Sequence, residues 1–428
     1  MAPHVRGDDA LGCGIGRVRW MTGGRSPVRT PAAGTADHCE AGPMQRKVVL
    51  LLYAAILVSE MSWSAVAPLL PTFADRFSLG ASRTGVILSV ASLAILAVSI
   101  PAGALTRRFG PRRLTLAAAA TMTIGNLLIG TADGYVALLV GRTVFGLGLG
   151  ALWVGGTSWL HDVSGDQRAK ILSMTSAIIG LGSLIGPGFA GIVAERLGTG
   201  APFLMLAGVT ALVSFVLLAS APRVVHVRGH DEPRFRELVR AAGADDMVRT
   251  SVALMFVGSV LWLCSYVLVP NRLDAEGWSA ADIGIAFSIS SLLYAAVSWW
   301  IARRAERAAT LGIAAASTAA LAASLAVVVA SASVAATVAF LMLAGLVTAV
   351  MIAITFPVGV RGPEHVPVAL IGGLLNVAWA VAGLLGPPLA GAAAETLGDR
   401  TTFLLLALFT GTVALWMTTA RRRRAMAA

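Results

Sequence analysis

Glu60 and Arg142 are the two ionisable residues of this chain that lie deep within long apolar runs. A charged side chain in hydrocarbon costs at least about 3 kcal/mol, so each must face a central cavity, a partner or a proton path. A carboxyl at Glu60 can hold a proton while the cavity is closed and apolar, and give it up when water enters or Arg142 approaches. That would couple proton binding to conformation. The alternative is structural: a permanent Glu60–Arg142 pair, or a Glu60 that turns toward polar backbone. Counted from the outer helix ends, Glu60 lies about 15–20 Å deep and Arg142 about 12 Å, a difference that long side chains could bridge.

Helical spacing places further groups beside these two. Trp63 stands one turn from Glu60 on the same face, and Trp153 is nearly aligned with Arg142, eleven residues away. Trp262 with Tyr266, and Asn376 with Trp379, form similar turns later in the chain, and Asn126 and Tyr294 add polar groups. An aromatic cavity holding one acid suits bulky lipophilic or cationic solutes. Trp and Tyr also fill packing gaps or anchor helices at a membrane surface, as expected of Trp299 and Trp300 beside Arg303 and Arg304.

The elements that must carry these residues follow from composition and periodicity. With 57% hydrophobic residues and 13% charged, the chain has too much apolar surface for water and belongs in a bilayer. Apolar runs long enough to span one fall at about 47–70, 84–105, 114–132, 135–158, 170–194, 201–219, 251–272, 281–301, 309–330, 333–356, 369–394 and 401–420. The second six repeat the first. Leu184 to Ala207 and Leu384 to Ala407 share thirteen of 24 positions, and Trp63, Pro71, Gly85, Ser89 and Leu93 recur 199 residues on as Trp262, Pro270, Gly284, Ser288 and Leu292. The expected fold is an all-α integral membrane protein of twelve transmembrane helices in two homologous six-helix halves, 47–219 and 251–420. A linker at 220–250 joins them, and a basic tail at 421–428 follows. Two similar hydrophobic halves facing one central space describe a transporter better than an enzyme or a receptor.

Charge sets the expected orientation. If the amino terminus is cytoplasmic, 27 of the 33 Lys and Arg fall on the inside, five at the outer ends and one, Arg142, within a span. Both termini and the linker are then cytoplasmic, in a multi-pass protein of the plasma (inner) membrane. The net charge of +11 is dispersed between spans and does not form one basic face, which argues against a nucleic-acid partner. Residues 1–46 carry no apolar run, and Met44-Gln45-Arg46-Lys47 reads as a natural start before the first span, a disordered tail being the alternative. Lys47 and Lys170 are the only lysines and neither follows a glycine, so no phosphate loop exists, and no histidine falls within the apolar runs. Cys13, Cys39 and Cys264 suggest neither a metal site nor a disulfide framework. No cofactor and no enzymatic activity are expected.

Glycine and proline patterns carry the family signal. Gly182, Gly186 and Ala190 recur every four residues around Pro187, giving a small-residue ridge on a helix free to bend, and Gly386-Pro387 with Gly391 repeats it. This pattern is read as a rocking interface between the halves, with Gly191 part of it; Glu195 and Glu395, at matched positions near the outer ends, are read as structural. The run Gly103-Ala104-Leu105-Thr106-Arg107-Arg108-Phe109-Gly110-Pro111-Arg112-Arg113 is similar to the G-x-L-x-D-R-x-G-R-R signature of the major facilitator superfamily. Arg142 to Gly148, with Gly146, resembles that family's R-x-x-x-G-x-G, and Gly182 to Gly191 its G-x-x-x-G-P-x-x-G-G antiporter motif. The resemblance covers roughly residues 45 to 420 and points to the twelve-span drug:proton antiporter branch. One departure stands out: Arg107 occupies the family's acidic position, while the acid reappears in the second half as Glu306. A latch between the arginine cluster and Glu306, Asp162 or Asp166 is one reading; a loop kept basic only for orientation is the other.

The resulting expectation is a proton-coupled exporter of small organic molecules working by alternating access, a monomer in the lipid bilayer with protons and substrate as partners. The alternatives are a proton-coupled importer or uniporter of a polar metabolite, or a non-transporting scaffold or sensor on the same fold.

Overall fold

Backbone N–H and C=O groups in hydrocarbon have no water to bond, and a helix satisfies them within one segment. The computed structural model describes residues 43–164, 168–220, 243–302, 311–331, 333–360 and 368–427. The tail before residue 43, linker residues 221–242, Asp166 and Glu306 lie outside the described residues, as do the side chains of Arg421 to Arg424. The described elements are helical: α1 (Pro43–Ser64), a 3-10 turn (Ala67–Leu69), α2 (Leu70–Phe77), α3 (Ala81–Phe109), α4 (Pro111–Gly130), α5 (Tyr135–Val163), α6 (Arg168–Leu197) and α7 (Ala201–Ser220) in the first half. The second half holds α8 (Asp246–Ala275), α9 (Ala280–Ala302), α10 (Leu311–Ala330), α11 (Val334–Val360), α12 (Val368–Leu397) and α13 (Asp399–Ala427).

Eleven of the described segments are long and apolar enough to cross a bilayer, counting α1 through α2 as one. α10, with an apolar stretch over Ala315–Ala330, is 20 residues long and so about 30 Å, completing the twelve. Several helices outrun their apolar core. α5 continues to Val163 and carries His161 in an exposed last turn, 3.8 Å from the Asp162 carboxylate. Leu50, Phe215, Leu389 and Leu415 are each more than half exposed, as the lipid-facing side of a membrane bundle requires.

The packing repeats as the sequence does. In the first half α1 lies against α6, and in the second α8 lies against α12. Between the halves the two main seams are α6 with α9 and α3 with α12. Matched glycines let backbones meet there. A Cβ on Gly85 or Gly284 would collide with the carbonyl of Pro387 or Pro187, and one on Gly391 or Gly191 with that of Ala81 or Ala280. These contacts gather toward one end of the bundle, opposite the end that carries Arg107 to Arg113. Toward the basic end, among the described residues, Gly103 of α3 meets only its own Arg107, and Gly373 of α12 has no neighbour within 4 Å.

This separates two roles that the sequence reading merged. Gly182 and Gly186 face α1 of their own half, at Leu57, Glu60, Met61 and Ser64, and Gly386 faces Cys264 of α8. The close backbone contacts between the halves are made instead by Pro187, Gly188 and Gly191, with Pro387 and Gly391. The reason is helical geometry: residues four apart share a face, whereas Gly188 and Gly191 point about 100° or more away from the Gly182–Gly186 stripe.

Candidate functional site

The first span breaks where it reaches the centre. Pro68 and Pro71 lack N–H groups, so α1 ends at Ser64 and the chain passes through the 3-10 turn into α2. Glu60 sits one turn before the break, its own carbonyl accepting the Ser64 hydroxyl at 2.8 Å. Glu60 is 8% exposed, and Trp153 of α5 lies within interaction range of its carboxylate. Gly182 presses on its Cβ from α6. Across the interface, Glu60 lies within electrostatic reach of the Tyr266 and Tyr294 hydroxyls.

Arg142 is fully buried on α5. The glycine one turn later explains how it is placed. Gly146 brings α5 against the Ala91 carbonyl of α3, and the Arg142 Nε then donates to the Ile87 carbonyl at 3.2 Å. Gly148 similarly abuts Met122 of α4, and Gly125 of α4 abuts Phe145. The guanidinium lies between two rings, 5.2 Å from Trp63 and 5.3 Å from Phe145. Among the described residues neither Nη has a hydrogen-bond partner.

Among the described residues Glu60 and Arg142 do not pair. α5 runs antiparallel to α1, so Arg142 meets α1 at Trp63 while Glu60 meets α5 at Trp153, about 16 Å further along that helix. The bridge allowed by depth alone fails because each side chain is already engaged at a different level.

The aromatic expectations converge from both halves. Trp63 packs on Trp379 of α12 with centroids 5.1 Å apart, which makes it a ring contact between Arg142 and the second half. Trp262 lies 5.6 Å from Tyr266 and 6.2 Å from Tyr294, and Tyr266 meets Phe287 edge-on at 5.3 Å. Asn126 is fully buried, donating to the Ser62 hydroxyl at 3.1 Å. Asn376 is half-buried on α12, three residues before Trp379. Phe145 and Phe287 were missed by the sequence reading; Phe145, at i+3 from Arg142, was accessible to the same helical spacing used for the other rings.

The basic loop is built around Gly110, whose φ of 84° is open to glycine at little cost and sets the turn from α3 into α4. Of its arginines, Arg112 reaches the Leu218 carbonyl at 3.0 Å and ties α4 to the end of α7. Arg108 lies over the Phe109 ring at 5.1 Å, and Arg107 and Arg113 are exposed.

Among the described residues, twelve apolar helices in two matched halves, with one deeply buried acid and one deeply buried arginine near rings contributed by both, define a polytopic membrane transporter. Residues 52–369 match the sequence pattern of the Major Facilitator Superfamily. The chain belongs to that superfamily, whose fold and members are those of transporters and not of enzymes. It is similar to the quinolone resistance protein NorA of Staphylococcus aureus, 26% identical over 172 residues, which is 40% of this chain and 44% of that one. It also resembles the MFS-type transporter phomT of Diaporthe leptostromiformis, 29% identical over 180 residues, 41% of this chain and 30% of the other. The chain thus spans less than half the length of these relatives. Among solved structures, a bacterial homolog to the human lysosomal transporter Spinster, inward-facing and unoccupied, matches with a TM-score of 0.73 at 14% identity, covering 90% of this chain and 98% of that one. Its inward-facing, occupied form matches at 0.75 and 13%, with the same coverage. These structures share the fold.

Proposed function

We propose that this transporter exports small, lipophilic organic molecules from the cytoplasm in exchange for protons, by alternating access. The observation that carries the reading is Glu60: a buried carboxyl in the middle of the first span, within interaction range of Trp153 and within electrostatic reach of two tyrosines of the opposite half. Of the groups around the aromatic layer, a carboxyl is the one suited to taking up and releasing a proton. Trp63, Trp153, Trp262, Tyr266, Tyr294 and Trp379 supply apolar faces for a bulky solute, with Asn376 at the edge. Arg142 acts on Glu60 through changes in the Trp63 stack and not through a standing ion pair. The similarity to NorA, a quinolone resistance protein, supports an exported, drug-like substrate. The basic end faces the cytoplasm of a plasma membrane, and a single chain forms the working unit.

The test is proton movement in proteoliposomes on addition of a lipophilic cation. Glu60→Gln keeps the shape and most hydrogen bonding of the side chain and cannot release a proton. Exchange of substrate persists in it while gradient-driven transport is lost. Uphill transport at the wild-type rate in Glu60→Gln would refute the role of Glu60.

A further inference from the structure

At the end of the bundle away from the arginine cluster, two glutamates cross between the halves in matched ways. Glu195, near the end of α6, accepts from the Ala281 backbone N–H of α9 at 3.0 Å. Glu395, near the end of α12, accepts from the Ser82 backbone N–H of α3 at 3.2 Å. The glutamates lie 200 residues apart and their partners 199 apart, so the duplication that built the fold also duplicated this contact. In each case a carboxylate from one half meets the first turn of a helix of the other half, where unpaired N–H groups and the helix dipole favour negative charge.

From these two contacts we propose that Glu195 and Glu395 form a paired latch that holds the far end closed, and that both contacts break when the cavity opens to that side. The latch rests on the family's exposure of its cavity to each face in turn. It does not depend on which group carries the proton. The two arms are unequal. α9 has its own cap, the Ser279 hydroxyl and Asp282 carboxylate bonding each other and the adjoining N–H groups. α3 starts at Gly80, which has no side chain to cap it. The Glu395 side chain fills the space where a Cβ on Gly80 would stand, so α3 takes its side-chain cap from the opposite half. The glycine that permits this approach is therefore also the reason the carboxylate is needed, and Glu395 is the stronger arm. Glu195 and Glu395 are both exposed helix-end residues, so the latch governs conformation with little bearing on folding.

The experiment measures distances between spin labels on Thr131→Cys and Ser331→Cys, exposed positions at the far end of the two halves. The full chain is used in nanodiscs without substrate or gradient, with Cys13 and Cys39 replaced by Ser; Cys264 is 1% exposed and does not label. A surface contact of a carboxylate with a helix N-terminus changes an equilibrium by about two- to fivefold, so losing both lowers the closed-to-open ratio about four- to 25-fold. The pair E195A and E395A should therefore gain a longer-distance component, with E395A alone shifting it further than E195A alone. An unchanged distance distribution in the double variant overturns the proposal. Should the alanine pair fail to reach the membrane, E195Q with E395Q retains the acceptor and loses the charge, giving a smaller shift in the same direction; no shift there overturns it equally. Because no proton gradient is present, failure here is separate from failure of proton coupling at Glu60.

Discussion

Gly182→Ala tests how tightly the antiporter-like motif holds Glu60. A Cβ at Gly182 would stand 2.6 Å from the Glu60 Cβ and 2.7 Å from the Leu57 carbonyl, where ordinary contact begins at 3.4 Å. α1 and α6 must therefore part by roughly 0.8 Å at Glu60, since close-packed helices have no slack to absorb the atom. Overpacking of this kind costs about 1–3 kcal/mol, while replacing a helical glycine by alanine returns about 1 kcal/mol. The net loss is about 0–2 kcal/mol, so the protein still folds and inserts. Function is more sensitive than stability, because a displacement near 1 Å at a reacting group can lower a rate about 100-fold. Efflux of a fluorescent lipophilic cation from energised cells should fall about ten- to 100-fold, alongside a modest shift in the midpoint of detergent-induced unfolding. Gly208→Ala is the control: it lies on α7 with open space around it, gains helix propensity and should transport normally. Efflux by Gly182→Ala equal to that of Gly208→Ala would show that α6 does not position Glu60.

Two further outcomes follow from the stack and from the charge pattern. Trp63→Ala removes a 4%-exposed ring that contacts both Arg142 and Trp379 and should cost about 3–5 kcal/mol, whereas Trp63→Phe keeps a ring face and loses much less; equal losses in unfolding experiments would show that the stack contributes nothing. Single cysteines at Asp133 and Arg113, exposed at opposite ends of the bundle, should react with an impermeant maleimide from outside and from inside respectively, and the reverse pattern would invert the proposed orientation.

The legible parts of this protein are those written as periodicity and repetition. Apolar runs of bilayer length specified helices because hydrocarbon leaves the backbone no other partner, and the 200-residue repeat specified two halves. Glu60 and Arg142 stood out because burying charge in hydrocarbon is expensive, so the rare residues that do so are conspicuous in a list of letters. Helical spacing also put Trp63 and Trp153 near them. Which side chain met which was a different matter. The Gly182–Gly186 stripe reads identically whether it faces α1 or α9, and only the packing of α6 between them assigned it to α1. Glu60 and Arg142 looked close enough to bridge when depth was the sole coordinate, yet antiparallel helices brought Glu60 to Trp153 and Arg142 to Trp63. The partners of Glu195 and Glu395 lie 86 and 313 residues away, at the start of helices in the opposite half. A one-dimensional pattern carries the period and polarity of each helix, because those are properties of neighbours along the chain; the rotation of one helix against another is set by side chains distant in sequence meeting in space, and tertiary structure alone decided it.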